Sequence, residues 1–148
     1  MILGLDVSTS CTGWCVIQDE ESLVEMGAIE LSNIKSVYDK SKKVRDVLGN
    51  IVVKYPISKI YIEENLQAFR RGFSSARTLS SLARFNGIVS LISYESFLIE
   101  PSHINVNFAR KSLGIKIIKE KICGKSTKEQ VVEWVDKNVM GYKWPEKK

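Results

Sequence analysis

Two acidic residues stand where a hard cation could be held. Asp6 ends the apolar run Ile2-Leu3-Gly4-Leu5, and Glu63 ends Ile60-Tyr61-Ile62, with Glu64 directly behind it. If these two runs are neighbouring parallel strands, both carboxylates reach the carboxyl-end crevice where open α/β sheets bind their ligands. Carboxylates brought together repel, and the repulsion favours protonation unless a cation intervenes. Mg²⁺ answers that need, since it commonly takes one or two carboxylates together with substrate phosphate. The plain alternative is a pair of acids ending two strands at a solvated sheet edge. Glu64 is the lesser candidate, because successive strand residues point to opposite faces.

Basic residues form a second constellation. Arg70, Arg77 and Arg84 recur every seventh position, so those on a helix share one stripe. Between positions 110 and 128 lie Arg110, Lys111, Lys116, Lys119, Lys121, Lys125 and Lys128 against a single acid, Glu120. Such clusters neutralise backbone phosphates and make binding salt-dependent, although each alone also fits an ordinary solvated face. Phe69 and Phe73 flank Arg70-Arg71 and could stack on unpaired bases, but aromatics at a helix entry usually pack inward. Arginine contacts to a backbone position the nucleic acid without reading its bases.

Other chemistries are poorly served. Cys11, Cys15 and Cys123 cannot complete a disulfide framework, and no further Cys or His stands near Cys11 and Cys15 to complete a zinc site. They read as small buried apolar groups in a reducing compartment. The single histidine, His103, leaves no evident base for a thiol or hydroxyl nucleophile. No apolar run reaches the roughly 18 residues of a membrane span, and no secretory leader pattern opens the chain. A cytoplasmic protein without membrane contact is therefore expected. The net charge, 22 − 17 = +5, leans toward polyanionic partners.

The elements that must position these groups follow from hydrophobic period. The first apolar run, then Trp14-Cys15-Val16-Ile17, then residues 23–31 read as three strands joined by short polar turns, an antiparallel meander. From Ser36 the period becomes helical through Val37, Val44, Val47, Leu48, Ile51 and Val52, until Pro56 stops it, with Ser36 and Asp39 as a cap. Residues 57–63 return to strand character. A second helix reads through Leu79, Leu82, Ala83, Phe85, Val89 and Ile92. A fifth strand is expected near Phe97-Leu98-Ile99 or Ile104-Asn105-Val106. The last helix opens with a capping box, Ser126 with Glu129, and carries Val131, Val132, Val135 and Val139. The order β-β-β-α-β-α-β-α predicts a mixed five-stranded α/β sheet extended through crossover helices. Ordinary globular composition, 44% hydrophobic and 26% charged, and no repeat or linker make residues 1–148 one domain.

Several motifs in this order resemble one family. The stretch Leu5-Asp6-Val7-Ser8-Thr9-Ser10-Cys11-Thr12-Gly13-Trp14 resembles the opening motif of the RuvC-like branch of the ribonuclease H-like nucleases, in which an aspartate ends strand one and Thr-Gly begins strand two. Tyr61-Ile62-Glu63-Glu64 is similar to the strand-four motif bearing the second acid. Ser74-Ser75-Ala76-Arg77, continuing to Ala83-Arg84-Phe85-Asn86-Gly87, resembles the helix that follows. Phe108-Ala109-Arg110-Lys111-Ser112-Leu113-Gly114 and Gly124-Lys125-Ser126 resemble the approach to the last helix. Viral and phage Holliday-junction resolvases are the nearest relatives by this likeness, which spans nearly the whole chain.

The resemblance implies a structure-selective endodeoxyribonuclease acting on branched double-stranded DNA. Two Mg²⁺ (or Mn²⁺) ions, roughly 4 Å apart, would flank the scissile phosphate. Asp6 would bridge them and Glu63 would ligate one. Arg70, Arg71, Arg77, Arg84, Arg110, Lys111 and Lys125 would carry the nucleic acid, and a homodimer would act on paired strands. One departure stands out. The family takes further acids from its final helix, whereas after Asp136 this sequence offers only Glu146. A chain truncated ahead of that helix is the expected reading, and it leaves the catalytic competence of these 148 residues in doubt. Two other functions compete: a non-catalytic nucleic-acid-binding module, and one lobe of an actin- or hexokinase-like phosphate-binding ATPase. The second is disfavoured by length and by the single glycine, Gly13, in the turn after Asp6.

Overall fold

The computed structural model describes residues 1–18, 22–64 and 76–139. The chain runs β1 (Ile2–Asp6), β2 (Cys11–Gln18), β3 (Ser22–Glu30), α1 (Val37–Lys54), β4 (Lys59–Glu63), α2 (Ala76–Phe97), β5 (Ser102–Ile104), α3 (Val106–Ser112), α4 (Glu120–Cys123) and α5 (Thr127–Asn138). The five strands form one sheet in the order β3-β2-β1-β4-β5. β1, β2 and β3 pair antiparallel, while β4 lies parallel to β1 and β5 parallel to β4. This is the expected meander extended by two crossover helices, an α/β fold of the ribonuclease H-like kind.

Strand alternation sorts the sheet into two faces. Leu3 and Leu5 of β1, Val16 of β2, Ile29 of β3, and Ile60 and Ile62 of β4 are all buried. They form one cluster with Val44, Leu48 and Ile51 of α1 and Phe85, Val89 and Ile92 of α2. Each such side chain contributes about 1.5–3 kcal/mol on leaving water. The alternate residues, Gly4 and Asp6 on β1 and Tyr61 and Glu63 on β4, point the other way.

The α1 boundaries follow the sequence reading. Ser36 Oγ accepts from the Asp39 amide at 3.3 Å, and Tyr55 ends the helix just ahead of Pro56. Lys54 Nζ then donates to Glu25 Oε2 at 2.8 Å and the Tyr55 hydroxyl donates to the same oxygen, tying α1 to β3. The capping box at Ser126 and Glu129 also forms as read.

The fifth strand misses the first expected position and overlaps the second only at Ile104. Phe97 still belongs to α2, whose end is closed by the Leu98 amide on the Tyr94 carbonyl at 2.7 Å. Leu98 then takes a positive φ of 56°, which breaks any extended run through Phe97-Leu98-Ile99. β5 starts at Ser102 and stops at Ile104, because Asn105 caps a new helix through its side chain, accepting from the Asn107 and Phe108 amides. The Val106 expected in a strand is the first residue of α3. The valines of α5 are half-buried, and α3, α4 and α5 contribute no buried residue.

Candidate active site

Asp6 is held by a tightly braced turn. Val7, directly after it, is 6% exposed and anchors the chain in the core. Thr12 Oγ1 donates to the Ser8 carbonyl at 3.1 Å, the Leu31 amide donates to the Ser10 carbonyl at 2.8 Å, and Lys40 Nζ donates to the Thr9 carbonyl. Bonds from three separate segments thus fix the turn that follows β1.

Glu63 is braced from two sides. The buried Asn86 of α2 donates from Nδ2 to the Glu63 carbonyl at 3.1 Å, and the Glu64 amide donates to the Ile104 carbonyl at 2.9 Å. The parallel register pairs Leu5 with Ile62, so one step further along the strands Asp6 and Glu63 stand beside each other. They share a face, the one α1 and α2 leave uncovered.

Both carboxylates line a cavity of about 400 Å³, with Gly4, Cys15 and Tyr61 on the sheet and Ala109 of α3 above. Glycine at position 4 keeps the floor low, since a Cβ there would fall 3.0 Å from Cys15 Sγ. The Glu63 carboxyl is raised above the usual carboxylate range, chiefly by burial and then by the Asp6 charge, with the Arg110 guanidinium opposing. Arg110 lies on α3 next to Ala109.

The donor set suits one hard cation better than a closed cage. Two carboxylates on an open face leave room for water and phosphate oxygens, the manner in which Mg²⁺ is usually held. Among the described residues no third His, Cys, Asp or Glu joins them in a metal-holding group. Cys11 donates to Glu30 Oε1 at 3.4 Å, and its thiol is pushed up by burial, then by Glu30 and Asp6. Cys15 is pushed up chiefly by burial. Both thiols are kept protonated, as inert small side chains would be.

The remaining candidates divide. Glu64 accepts from Asn105 Nδ2 at 3.3 Å and takes no part in lining the cavity. Arg77 and Arg84 are exposed on one stripe of α2, and Lys111 is exposed on α3. Lys125 is paired with Glu133 of α5, so its charge is already met. Arg70, Arg71, Phe69 and Phe73 lie outside the described residues, as does Glu146. Asp136 is exposed on α5. Sequence reasoning missed Asn86, whose place inside a helix gave no hint of a strand partner, and the closeness of Arg110 to Glu63, which depends on α3.

No family model matches the sequence, and no curated protein matches it either. Solved structures do match in shape. RuvC of Thermus thermophilus in complex with a Holliday junction substrate aligns with a TM-score of 0.70 at 13% identity, over 98% of this chain and 83% of that one. A second Thermus thermophilus RuvC structure aligns at 0.65 and 14% identity, over 98% and 84%. The fold is RuvC-like. In this RuvC-like fold the carboxyl ends of β1 and β4 meet beneath α3, which is what brings Asp6, Glu63 and Arg110 within electrostatic reach of one another.

Proposed function

We propose that this protein is a Mg²⁺-dependent endonuclease that hydrolyses phosphodiester links in branched DNA. One observation carries the reading: Asp6 and Glu63 sit side by side at the carboxyl ends of adjacent parallel strands, on the uncovered face, in one cavity. Support comes from the likeness in fold to a RuvC bound to a Holliday junction substrate.

Asp6 and Glu63 would hold Mg²⁺ or Mn²⁺, which when bound supplies Lewis acidity to the scissile phosphate and to the attacking water. The chain's own residues do the rest. The braced turn and Asn86 fix the backbone that carries the two carboxylates before substrate arrives, so little backbone reorganisation is needed on binding. Arg110 offsets the negative charge of Glu63. Arg77, Arg84 and Lys111 face solvent and contact the backbone, fixing the duplex arms without reading sequence. In the reaction, water adds its oxygen to phosphorus and gives up a proton, the bond from phosphorus to the leaving sugar oxygen breaks, and that oxygen takes up a proton.

The absence of a third acidic ligand among the described residues favours a second reading, a binding module that keeps the fold but does not cut. A four-way DNA junction separates the two. The nuclease reading expects cleavage in Mg²⁺ or Mn²⁺ that Asp6→Asn abolishes while junction binding persists. Equal cutting by the variant removes Asp6 from the mechanism. Binding by the wild type with no cleavage in either metal establishes the module instead.

A further inference from the structure

A second cavity, of about 230 Å³, opens where the turn after β1 meets α1 and α2. Three cationic side chains from three separate segments line it: Lys35 from the loop ahead of α1, Lys40 from α1 and Arg84 from α2. Two hydroxyl residues, Thr9 and Ser81, and the first residue of α1, Val37, complete the lining. Among the described residues none of the three cations is in an ion pair. Lys40 donates to the Thr9 carbonyl, which fixes its ammonium at the cavity while leaving further protons to donate. The acid of the first α1 turn, Asp39, is exposed and does not line the cavity.

Like charges gathered around one hollow repel, and an anion between them turns that repulsion into attraction. Arginine and lysine beside hydroxyl donors form a set suited to phosphate oxygens. We infer that this cavity is a subsite for a backbone phosphate of the nucleic acid, distinct from the scissile phosphate at the Asp6–Glu63 site. The inference rests on the nuclease reading and deepens it.

Two observations favour a phosphate carried on a polymer over a free one. Lys35, Ser81 and Arg84 are exposed, so the mouth opens to solvent. Arg77, Ser81 and Arg84 also follow one another along a single stripe of α2, which extends the positive line beyond the cavity. The cavity lies on the side of the sheet that α1 and α2 cover, whereas the acids sit on the other side. Thr9 belongs to the braced turn that follows Asp6, so the subsite and the acids share one end of the sheet. A duplex gripped at both points cannot pivot about the scissile phosphate.

Junction binding is measured against salt, with chelator present, for the wild type, Lys35→Gln/Arg84→Gln and Lys42→Gln, an exposed lysine of α1 outside the cavity. The double variant is expected to bind more weakly and to flatten the log–log salt slope by about 0.9, the value for a single phosphate no longer neutralised. Ser81→Asp, which adds a carboxylate at the same place, should weaken binding likewise, while Lys42→Gln keeps the wild-type slope. An unchanged slope in the double variant, or equal flattening by Lys42→Gln, overturns the subsite even where the wild type still cuts. Inorganic phosphate provides an independent arm, read as amide NMR shifts at Thr9 and Lys35 that the double variant lacks. Those shifts in a protein that neither binds nor cuts DNA would keep the anion site and discard the nuclease reading. Such shifts alongside an unchanged DNA slope would mean free phosphate, against the inference.

Discussion

Glu63 reports on the whole site, because beside its own burial it feels charges from β1 and from α3. Burial and the Asp6 charge raise its carboxyl, and Arg110 pulls it back. Neutralising Asp6 removes a like charge, so in Asp6→Asn the Glu63 pKa falls. Removing Arg110 takes away a favourable charge, so in Arg110→Gln it rises further. NMR titration of the Glu63 side-chain carboxyl checks both signs, and a pKa indifferent to both changes would separate the three groups. A metal ligand must be deprotonated, so Mg²⁺ affinity should strengthen as pH climbs through the raised Glu63 range. At this scale the sequence was informative about the acids, and it offered Arg110 as a nucleic-acid contact without showing its nearness to Glu63. An acid closing an apolar run can be located from the pattern alone. Arg110 acts across space from a seven-residue helix that no period announces.

Elements with strong periods and explicit caps were legible, and short ones were not. α1 offers eighteen residues of helical spacing between Ser36 and Pro56, and its cap bond forms as expected. β5 is three residues long, and β-favouring neighbours on either side competed for the assignment. Leu98 in the left-handed region and Asn105 as a cap decided against them, and both are tertiary or local-geometry facts invisible to hydrophobic period. The hydrogen bond from Asn86 to the Glu63 carbonyl is a third such fact, and it joins α2 to the end of β4. Asn86→Leu keeps the bulk but leaves that carbonyl without this donor, at a cost of about 1–3 kcal/mol in urea unfolding. The released strand end should lower junction cleavage more than junction binding. Stability lost with cleavage intact would confine Asn86 to a structural role.

The molecule as a whole divides into a dense part and a loose part. The core is drawn from β1 to β4 with α1 and α2, whereas α3, α4 and α5 add half-buried and exposed surface but nothing fully buried. Regions with few buried apolar contacts open locally at less cost than global unfolding. Amides of Leu5 and Ile62 should therefore exchange with deuterium only through global unfolding, and those of α5 through a cheaper opening of their own. Leu48→Ala, at a position with 0% exposure, should cost about 2–5 kcal/mol. Exchange in β1, β4 and α2 would quicken by the matching factor, while α5 keeps its wild-type rates because its opening leaves the core intact. If α5 instead accelerated in step with β1, the chain would be one cooperative unit. The division has a functional reading. Asp6, Glu63 and Arg84 are fixed to the dense part, and Arg110 and Lys111 ride on the loose one. Under the proposed function, a branched substrate with arms at variable angles meets an adaptable rim over acids carried on the dense part.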